Sequence, residues 1–267
     1  GDTNTKIRFP AADTITAETD GSEKVRITSD GNLLVGATAV EDWDGSRSHK
    51  IQVRGANSNN AGISALITAN DDNPCEIVLG KSRSTGNTIV QSADDVGQIR
   101  FAANDGAGFH SIAYVRASMD GTPGSDDLPS KLTFGTSADG GTTVSERLRI
   151  NSAGTVRIKR AVSTSLGNDS IFLALGDTEN GTNVNRMIGF GYVGTFGSSV
   201  YPASMGYTES DNSGNTKGAL TFNTRNTTGG TDVPVERLRI NSSGQVLIGG
   251  TSSVDGWGQA NRFQVQG

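Results

Sequence analysis

ERLRINSAGTVRIK, residues 146–159, occurs three times in variant form, as EKVRITSDGNLLVG at 23–36 and as ERLRINSSGQVLIG at 236–249. Each copy reads as a β-hairpin. Apolar and polar residues alternate on both arms, with Leu148 and Ile150 going in and Val156 and Ile158 coming out. A period of two buries one face of a strand and wets the other, so these apolar residues are expected to form a buried face. Between the arms, Gly31, Gly154 and Gly244 fall at one offset. A tight hairpin loop needs positive φ there, which glycine adopts without steric cost. A whole pattern repeated three times makes this a repeat protein before anything else is decided.

The repeat is larger than the hairpin. Strands of one type precede each copy: Ile7-Arg8-Phe9, Ile99-Arg100-Phe101 and Ile188-Gly189-Phe190. From that Phe to the hairpin Glu the separation is 14 residues in the first unit, and 45 and 46 in the others. The first unit thus reads as a compact version. The other two carry about 31 further residues, ending in Lys131-Leu132-Thr133-Phe134 and Ala219-Leu220-Thr221-Phe222. The insertions, roughly 102–130 and 191–218, are rich in Gly, Asp, Ser and Asn and predict strands with long surface loops. A connector also recurs. Residues 36–55 pass through Asp42-Trp43-Asp44-Gly45 to Ile51-Gln52-Val53, and 249–265 pass through Asp255-Gly256-Trp257-Gly258 to Phe263-Gln264-Val265. Residues 56–96 have no internal counterpart, although Glu76-Ile77-Val78-Leu79 and Asn87-Thr88-Ile89-Val90 read as strands. The spans are therefore 1–55, 56–160 and 161–267.

Composition agrees with an all-β chain. Of 267 residues 36 are Gly, 33% are hydrophobic and 19% charged, and no stretch of ten residues shows a helical apolar period. So thin a core predicts stability from stacked repeats or from assembly with further copies. A net charge of −5 gives no electrostatic case for nucleic acid or an anionic membrane surface. The longest apolar run, Ile171 to Leu175, is too short to insert across a bilayer. Without an initiator Met or a signal peptide, the chain is expected to be a processed or truncated piece. Cys75 is alone, so no intrachain disulfide forms.

Candidate chemistry is sparse, and no cofactor or metal site is expected. Asp42-Trp43-Asp44-Gly45 resembles the start of a calcium loop but lacks its third acidic position and distant Glu. The pairs Asp71-Asp72, Asp94-Asp95 and Asp126-Asp127 offer two carboxylates, as glycoside hydrolysis needs, but neighbours on a strand point to opposite faces. Gly189 to Gly194 fits GxGxxG without the helix that a dinucleotide site requires. His49 and His110 suggest no nucleophile–base arrangement. The chain is accordingly expected not to be an enzyme. Trp43 and Trp257 recur in matching connectors and read as scaffold. The non-recurring loops carry the better candidates for contact with a host surface glycan or protein: Phe109, His110 and Tyr114 in one insertion, Tyr192, Phe196, Tyr201 and Tyr207 in the other.

Glu23, Glu146 and Glu236 open each hairpin in phase with the apolar face. A lone buried carboxylate is costly, so each is expected to pair with an arginine of a neighbouring chain, with Arg147, Arg149, Arg237 and Arg239 as candidates, and to pin the register between copies.

The strings GDTNTKIRFPAADTITAETDGSEKVRI (1–27), ANSNNAGISALI (56–67), DGTPGSDDLPSKLTF (120–134) and ERLRINSAGTV (146–156) are similar to the repetitive shaft of bacteriophage tail fibres, especially those of marine phages. The resemblance covers nearly the whole chain. It implies an elongated homotrimer of intertwined β-structure on the virion, partnered by other tail proteins. Many such fibres end in an intramolecular chaperone domain that is cut away. Nothing similar follows Val265: it has been removed, or is missing, or another device replaces it. Independently, short strands with few local partners leave unpaired edges that invite another chain. The expected function is a structural shaft segment supporting host attachment. Two other readings stay open on sequence: a tailspike that depolymerises surface polysaccharide, and a cellular adhesin built from the same repeat.

Overall fold

The structure is a computed structural model and describes residues 2–43, 47–57, 59–70, 72–160, 171, 173–174, 184–191, 200–211, 216–250 and 263–265. These form strands and no helix, in keeping with a chain rich in Gly, Ser, Thr and Asn. The chain divides into two units, Gly1–Phe172 and Leu173–Gly267.

The first unit holds two five-stranded sheets. One is built from β1 (Lys6–Arg8), β2 (Ile15–Thr19), β3 (Ser22–Ile27), β4 (Leu33–Val35) and β7 (Ile51–Val53), in that spatial order. Between β4 and β7 the connector forms a small hairpin, β5 (Asp42–Trp43) with β6 (Arg47–Ser48). The other is a meander of β8 (Asp95–Asn104), β9 (Phe109–Met119), β10 (Ser130–Ser137), β11 (Val144–Ile150) and β12 (Val156–Ile158). The second unit holds β13 (Asn185–Phe190), β14 (Ala203–Asp211), β15 (Lys217–Thr224), β16 (Val235–Ile240), β17 (Val246–Ile248) and β18 (Phe263–Val265), in order.

The three hairpins form as their sequences predict. Gly31, Gly154 and Gly244 take φ of 73°, 77° and 77°, and each amide donates to the carbonyl three residues back, at Thr28, Asn151 and Asn241. The first loop residue closes the turn with its side chain: Asn151 Oδ1 accepts from Thr155 N at 2.7 Å, and Thr28 Oγ1 from Asn32 N at 3.1 Å. The connectors also correspond. β7 and β18 each run parallel to the outgoing hairpin arm, Leu34 facing Gln52 and Leu247 facing Gln264.

Four sequence expectations are corrected. The Ile-x-Phe strand of the first unit does not hold the place of its counterparts in the other two, although the insertions carry strands as their sequence predicts. β1 pairs directly with β2, so Ile7 occupies the place of Val115 in β9 and of Met205 in β14, while Ile99 and Ile188 sit one strand further out. The insertions therefore supply a whole strand. Secondly, Glu76–Leu79 and Asn87–Val90 form no strand, and among the described residues no sheet edge pairs with them.

Thirdly, the hairpin Glu is out of phase with the apolar residues. A β-bulge sits at one place in all three sheets: Ala17 faces Val25 but Glu18 faces Glu23, Phe134 faces Leu148 but Gly135 faces Glu146, and Phe222 faces Leu238 but Asn223 faces Glu236. Lys24, Arg147 and Arg237 are the extra residues. One added residue inverts the alternation. It puts each Glu on the face of the arginine three residues on.

Fourthly, the apolar face is not buried within the chain. Ile15, Ile27, Ile99, Phe101, Leu132, Ile150, Val156, Ile158, Leu220, Phe222 and Ile240 are all exposed. The opposite face is the covered one: Thr16, Thr133 and Thr221 are buried at matching positions, with Leu34 and Leu247 fully enclosed. Among the described residues, these apolar side chains stay open to solvent.

Candidate functional site: a cleft beside the first connector

The cleft is built by the connector and by one face of β8. Gln52 on β7 fixes the connector. Its Oε1 accepts from the Glu41 amide at 2.9 Å, and its Nε2 donates to the carbonyls of Glu41 at 3.0 Å and His49 at 3.3 Å. These bonds satisfy the backbone on both sides of the β5–β6 hairpin, which carries Trp43. On β8 the alternate residues Gln98, Arg100, Ala102 and Asn104 share the face opposite Ile99 and Phe101. A second bulge, at Phe101/Ala102, leaves Ile112 unpaired and sets Phe109 opposite Asn104. The Trp43 and Phe109 rings meet there with centroids 4.6 Å apart, tilted by 53°.

The resulting cleft has a volume of about 830 Å³ and is lined by Trp43, Phe109, His49, Arg54, Arg100 and Asn104 among others. Arg54 Nη1 lies 3.7 Å from Glu41 Oε2. An indole wall takes the flat apolar face of a sugar ring. Guanidinium forks take a carboxylate or phosphate in two-pronged geometry. The cleft can therefore hold a polar, anionic, partly apolar ligand, and acidic glycans have that chemistry.

Of the five loop candidates among the described residues, Phe109 lines the cleft and the other four do not. His110 follows it on the other face, with Nε2 3.3 Å from Asp105 Oδ2. The Ala107 and Gly108 amides hold the Asp105 carboxyl below its ordinary value. Tyr114 lies over Gly135, where an added Cβ would meet its ring at 2.6 Å, and the Arg116 guanidinium sits 4.2 Å from the ring centre. Tyr201 covers Gly189 in the same way, and Tyr207 lies against Gly218. These three rings fill space that glycine leaves open on a sheet. Tyr192 and Phe196 lie outside the described residues, as does Trp257. Trp43, read from sequence as scaffold, is the aromatic that completes the cleft. The sequence signal for it is its nearness to β7 and to Arg54, which follows that strand.

The register residues form same-strand clamps. Arg26 Nε and Nη2 both lie 2.7 Å from the Glu23 carboxylate, Arg149 reaches Glu146 at 3.0 and 2.6 Å, and Arg239 reaches Glu236 at 2.7 and 2.7 Å. Both oxygens of each carboxylate are thus engaged by the arginine of their own strand, made possible by the bulge. The guanidinium hydrogen bonds hold the Glu23 carboxyl below its usual range. The bulged residues contribute separately: Arg147 Nε donates to Thr136 Oγ1 at 3.1 Å, and Arg237 Nε to Thr224 Oγ1 at 3.2 Å.

The acidic pairs are also structural in their contacts. Asp94 is gripped by Arg83 at 2.8 Å and Lys81 at 3.0 Å and accepts from the Gln91 amide; led by the Arg83 bonds, these hold its carboxyl well below the carboxylate range. Asp95 takes Arg116 at 2.9 Å and the Ser118 hydroxyl at 2.7 Å. Asp127 bridges Gly124 in a turn, with Asp126 at φ 55°. Asp71, like Asp44, Gly45 and Asp255, lies outside the described residues, and among the described residues no group of three metal-binding side chains gathers.

No protein-family model matches the chain, and no curated protein matches it. Among solved structures, the carboxy-terminal domain of the bacteriophage T5 L-shaped tail fibre aligns with 74% of this chain and 95% of its own, at 11% identity and a TM-score of 0.31. The same domain with its intramolecular chaperone domain aligns with 74% of this chain and 66% of its own, at 12% identity and a TM-score of 0.30. A TM-score of this size fixes neither topology nor function.

Proposed function

We propose that the chain is a structural, non-enzymatic shaft segment of a phage tail fibre or similar virion appendage, assembled from three copies and supporting attachment to a host surface. The observation that carries the reading is the apolar face. Three sheets, each with the same hairpin, the same bulge and the same clamp, turn Ile, Leu, Phe and Val outward. Soluble monomers rarely expose apolar patches beyond about a few hundred Å². Facing copies of this chain would cover the apolar face of each sheet. The resemblance of the repeat strings to tail-fibre shafts supplies the class of assembly and the number three.

With the apolar sides turned inward, the polar face of β8 and the cleft beside it stay open to solvent. Lateral contact with an anionic host glycan is assigned there. Several weak contacts per fibre then act together, so no single one need be tight.

The test is the native mass by light scattering on a sizing column. The expected value is three times the 27.7 kDa chain mass, with early elution. A stable single-chain mass overturns the assembly and returns the enzyme and adhesin readings to contention.

A further inference from the structure

Arg54 and Glu41 meet at the cleft without closing on each other. Their backbones are fixed. The Arg54 amide donates to the Val35 carbonyl at 2.9 Å, and Gln52 holds Glu41 by its amide and its carbonyl at 2.9 and 3.0 Å. The side chains meet more loosely. Arg54 Nη1 stands 3.7 Å from Glu41 Oε2, past hydrogen-bond length, and the two side chains are 66% and 40% exposed. So open a pair contributes little to stability. The clamp of Arg26 on Glu23 is the closed form of such a pair in this chain, with both prongs at 2.7 Å.

Nor does the pair belong to the scaffold. The second connector keeps the glutamine and the tryptophan, as Gln264 and Trp257, and brings β18 alongside β17 in the register of β7 alongside β4. Both charges are gone from it. Counted from Gly36 and Gly249, Glu41 answers to Val254; counted from Val53 and Val265, Arg54 answers to Gln266. A connector strand thus reaches its place without the pair. In the first connector the carboxylate and the guanidinium occur together, in the cleft that Trp43 and Phe109 also line. An exposed guanidinium fork takes a carboxylate by two short parallel bonds, a better arrangement than the single long contact that Glu41 makes.

We propose that Glu41 is a displaceable stand-in at Arg54: the carboxylate of an acidic sugar takes the guanidinium fork, Glu41 swings out to water, and a neighbouring ring of the saccharide lies on Trp43. Glu41 is thereby a specificity-determining residue. Its charge competes for the fork, so a group that takes only one prong gains nothing by displacing it. A carboxylate is the class assigned because the group displaced is itself one. The proposal rests on the assignment of glycan contact to this cleft and deepens it, since it names the atoms that read the acid.

The test uses the purified chain in its native assembly, labelled with 5-fluorotryptophan. Trp43 is one of two fluorine resonances, assigned with Trp257→Phe. Trigalacturonate and trisialic acid are titrated in, each beside its neutral methyl ester. At least one acid is expected to move the Trp43 resonance, at lower concentration than its ester does. Glu41→Gln is expected to tighten that acid about two- to fivefold and to leave the ester unchanged. Arg54→Gln, which installs the residue of the second connector, is expected to weaken the acid about tenfold. Combined with Glu41→Gln it should abolish the gain. A gain that survives the loss of Arg54 means that Glu41 merely repels anions, and overturns the exchange while the cleft still binds glycan. The absence of any gain in Glu41→Gln does the same. A Trp43 resonance that neither acid moves overturns the glycan assignment together with the exchange.

Discussion

The outgoing hairpin arms of the first and second repeats start from nearly the same sequence and finish differently. In the first, Leu34 is fully enclosed between Arg26 on β3 and Gln52 on β7. In the second, the same position is Arg157, exposed on a strand with no outer neighbour among the described residues. The residue that ends the arm differs too. Gly36 turns at φ 74°, and an added Cβ there would collide with the carbonyl oxygen of Arg54 as β7 leaves the edge. Gly249 repeats that turn at φ 77° in the third sheet, whereas Lys159 stands there in the second. A Leu and a Gly thus mark the edges that the connector strand covers in the first and third sheets, and an Arg and a Lys stand at those positions in the second.

The largest expected effect tests the closed edge. Leu34→Ala removes an enclosed side chain and is expected to cost about 3 kcal/mol, against less than about 0.5 kcal/mol for Arg157→Ala, both read from urea midpoints. Equal costs would break the distinction. Gly36→Ala adds a methyl where φ is positive and a backbone oxygen stands in the way, and about 1–3 kcal/mol is expected. Lys159→Ala serves as its near-neutral counterpart. The clamps should not distinguish the sheets at all. Glu23→Gln, Glu146→Gln and Glu236→Gln are each expected to cost about 0.5–1 kcal/mol, since the pairs are half-buried and two-pronged. A loss several times larger in one sheet, with dissociation of the assembly, would show that its clamp also reaches another copy.

The smallest effect on global stability concerns Asp94, which Arg83 and Lys81 grip ahead of β8. The Asp94 carboxyl is held below its ordinary value near 3.8, chiefly by Arg83. Its contribution is therefore complete above that ordinary value and is lost as pH falls through the depressed one. Asp94→Asn is expected to raise amide exchange across 81–94 at pH 7, relative to unstructured peptide rates. The gap to wild type should close as pH drops below about 4. A gap that persists unchanged in strong acid would mean that Arg83 and Lys81 do not depend on the charge.

Much of this fold could be read from residue order. The hairpin loops were legible because glycine at positive φ leaves a fixed offset, and the strands after both connectors because Gln52 and Gln264 sit alike between apolar neighbours, whereas their parallel pairing was not. The bulge was not legible. Glu146, Leu148 and Ile150 have perfect alternation on paper, and only the pairing partner reveals that Arg147 is supernumerary. The exposure of the apolar face was hidden for a different reason. Periodicity tells which residues share a face, but not whether the chain has anything to lay on it. That Trp43 and Phe109 share one cleft was not legible either, because it depends on how the connector folds back beside β8.

The bulge has a consequence for how such a chain can diversify. Side-chain alternation along a strand is a matter of parity, and an inserted or deleted residue upstream ordinarily turns everything after it inside out. Here one supernumerary residue sits at the mouth of every hairpin, its carbonyl engaged by the amide of Gly36, Lys159 or Gly249 at 2.9, 2.7 and 3.0 Å. That bond fixes the hairpin from its own far end, independently of what precedes it. Odd and even insertions before the Glu are then equally harmless to the pattern after it. The loops ahead of each hairpin are free to change length, while the apolar face of the hairpin stays the same.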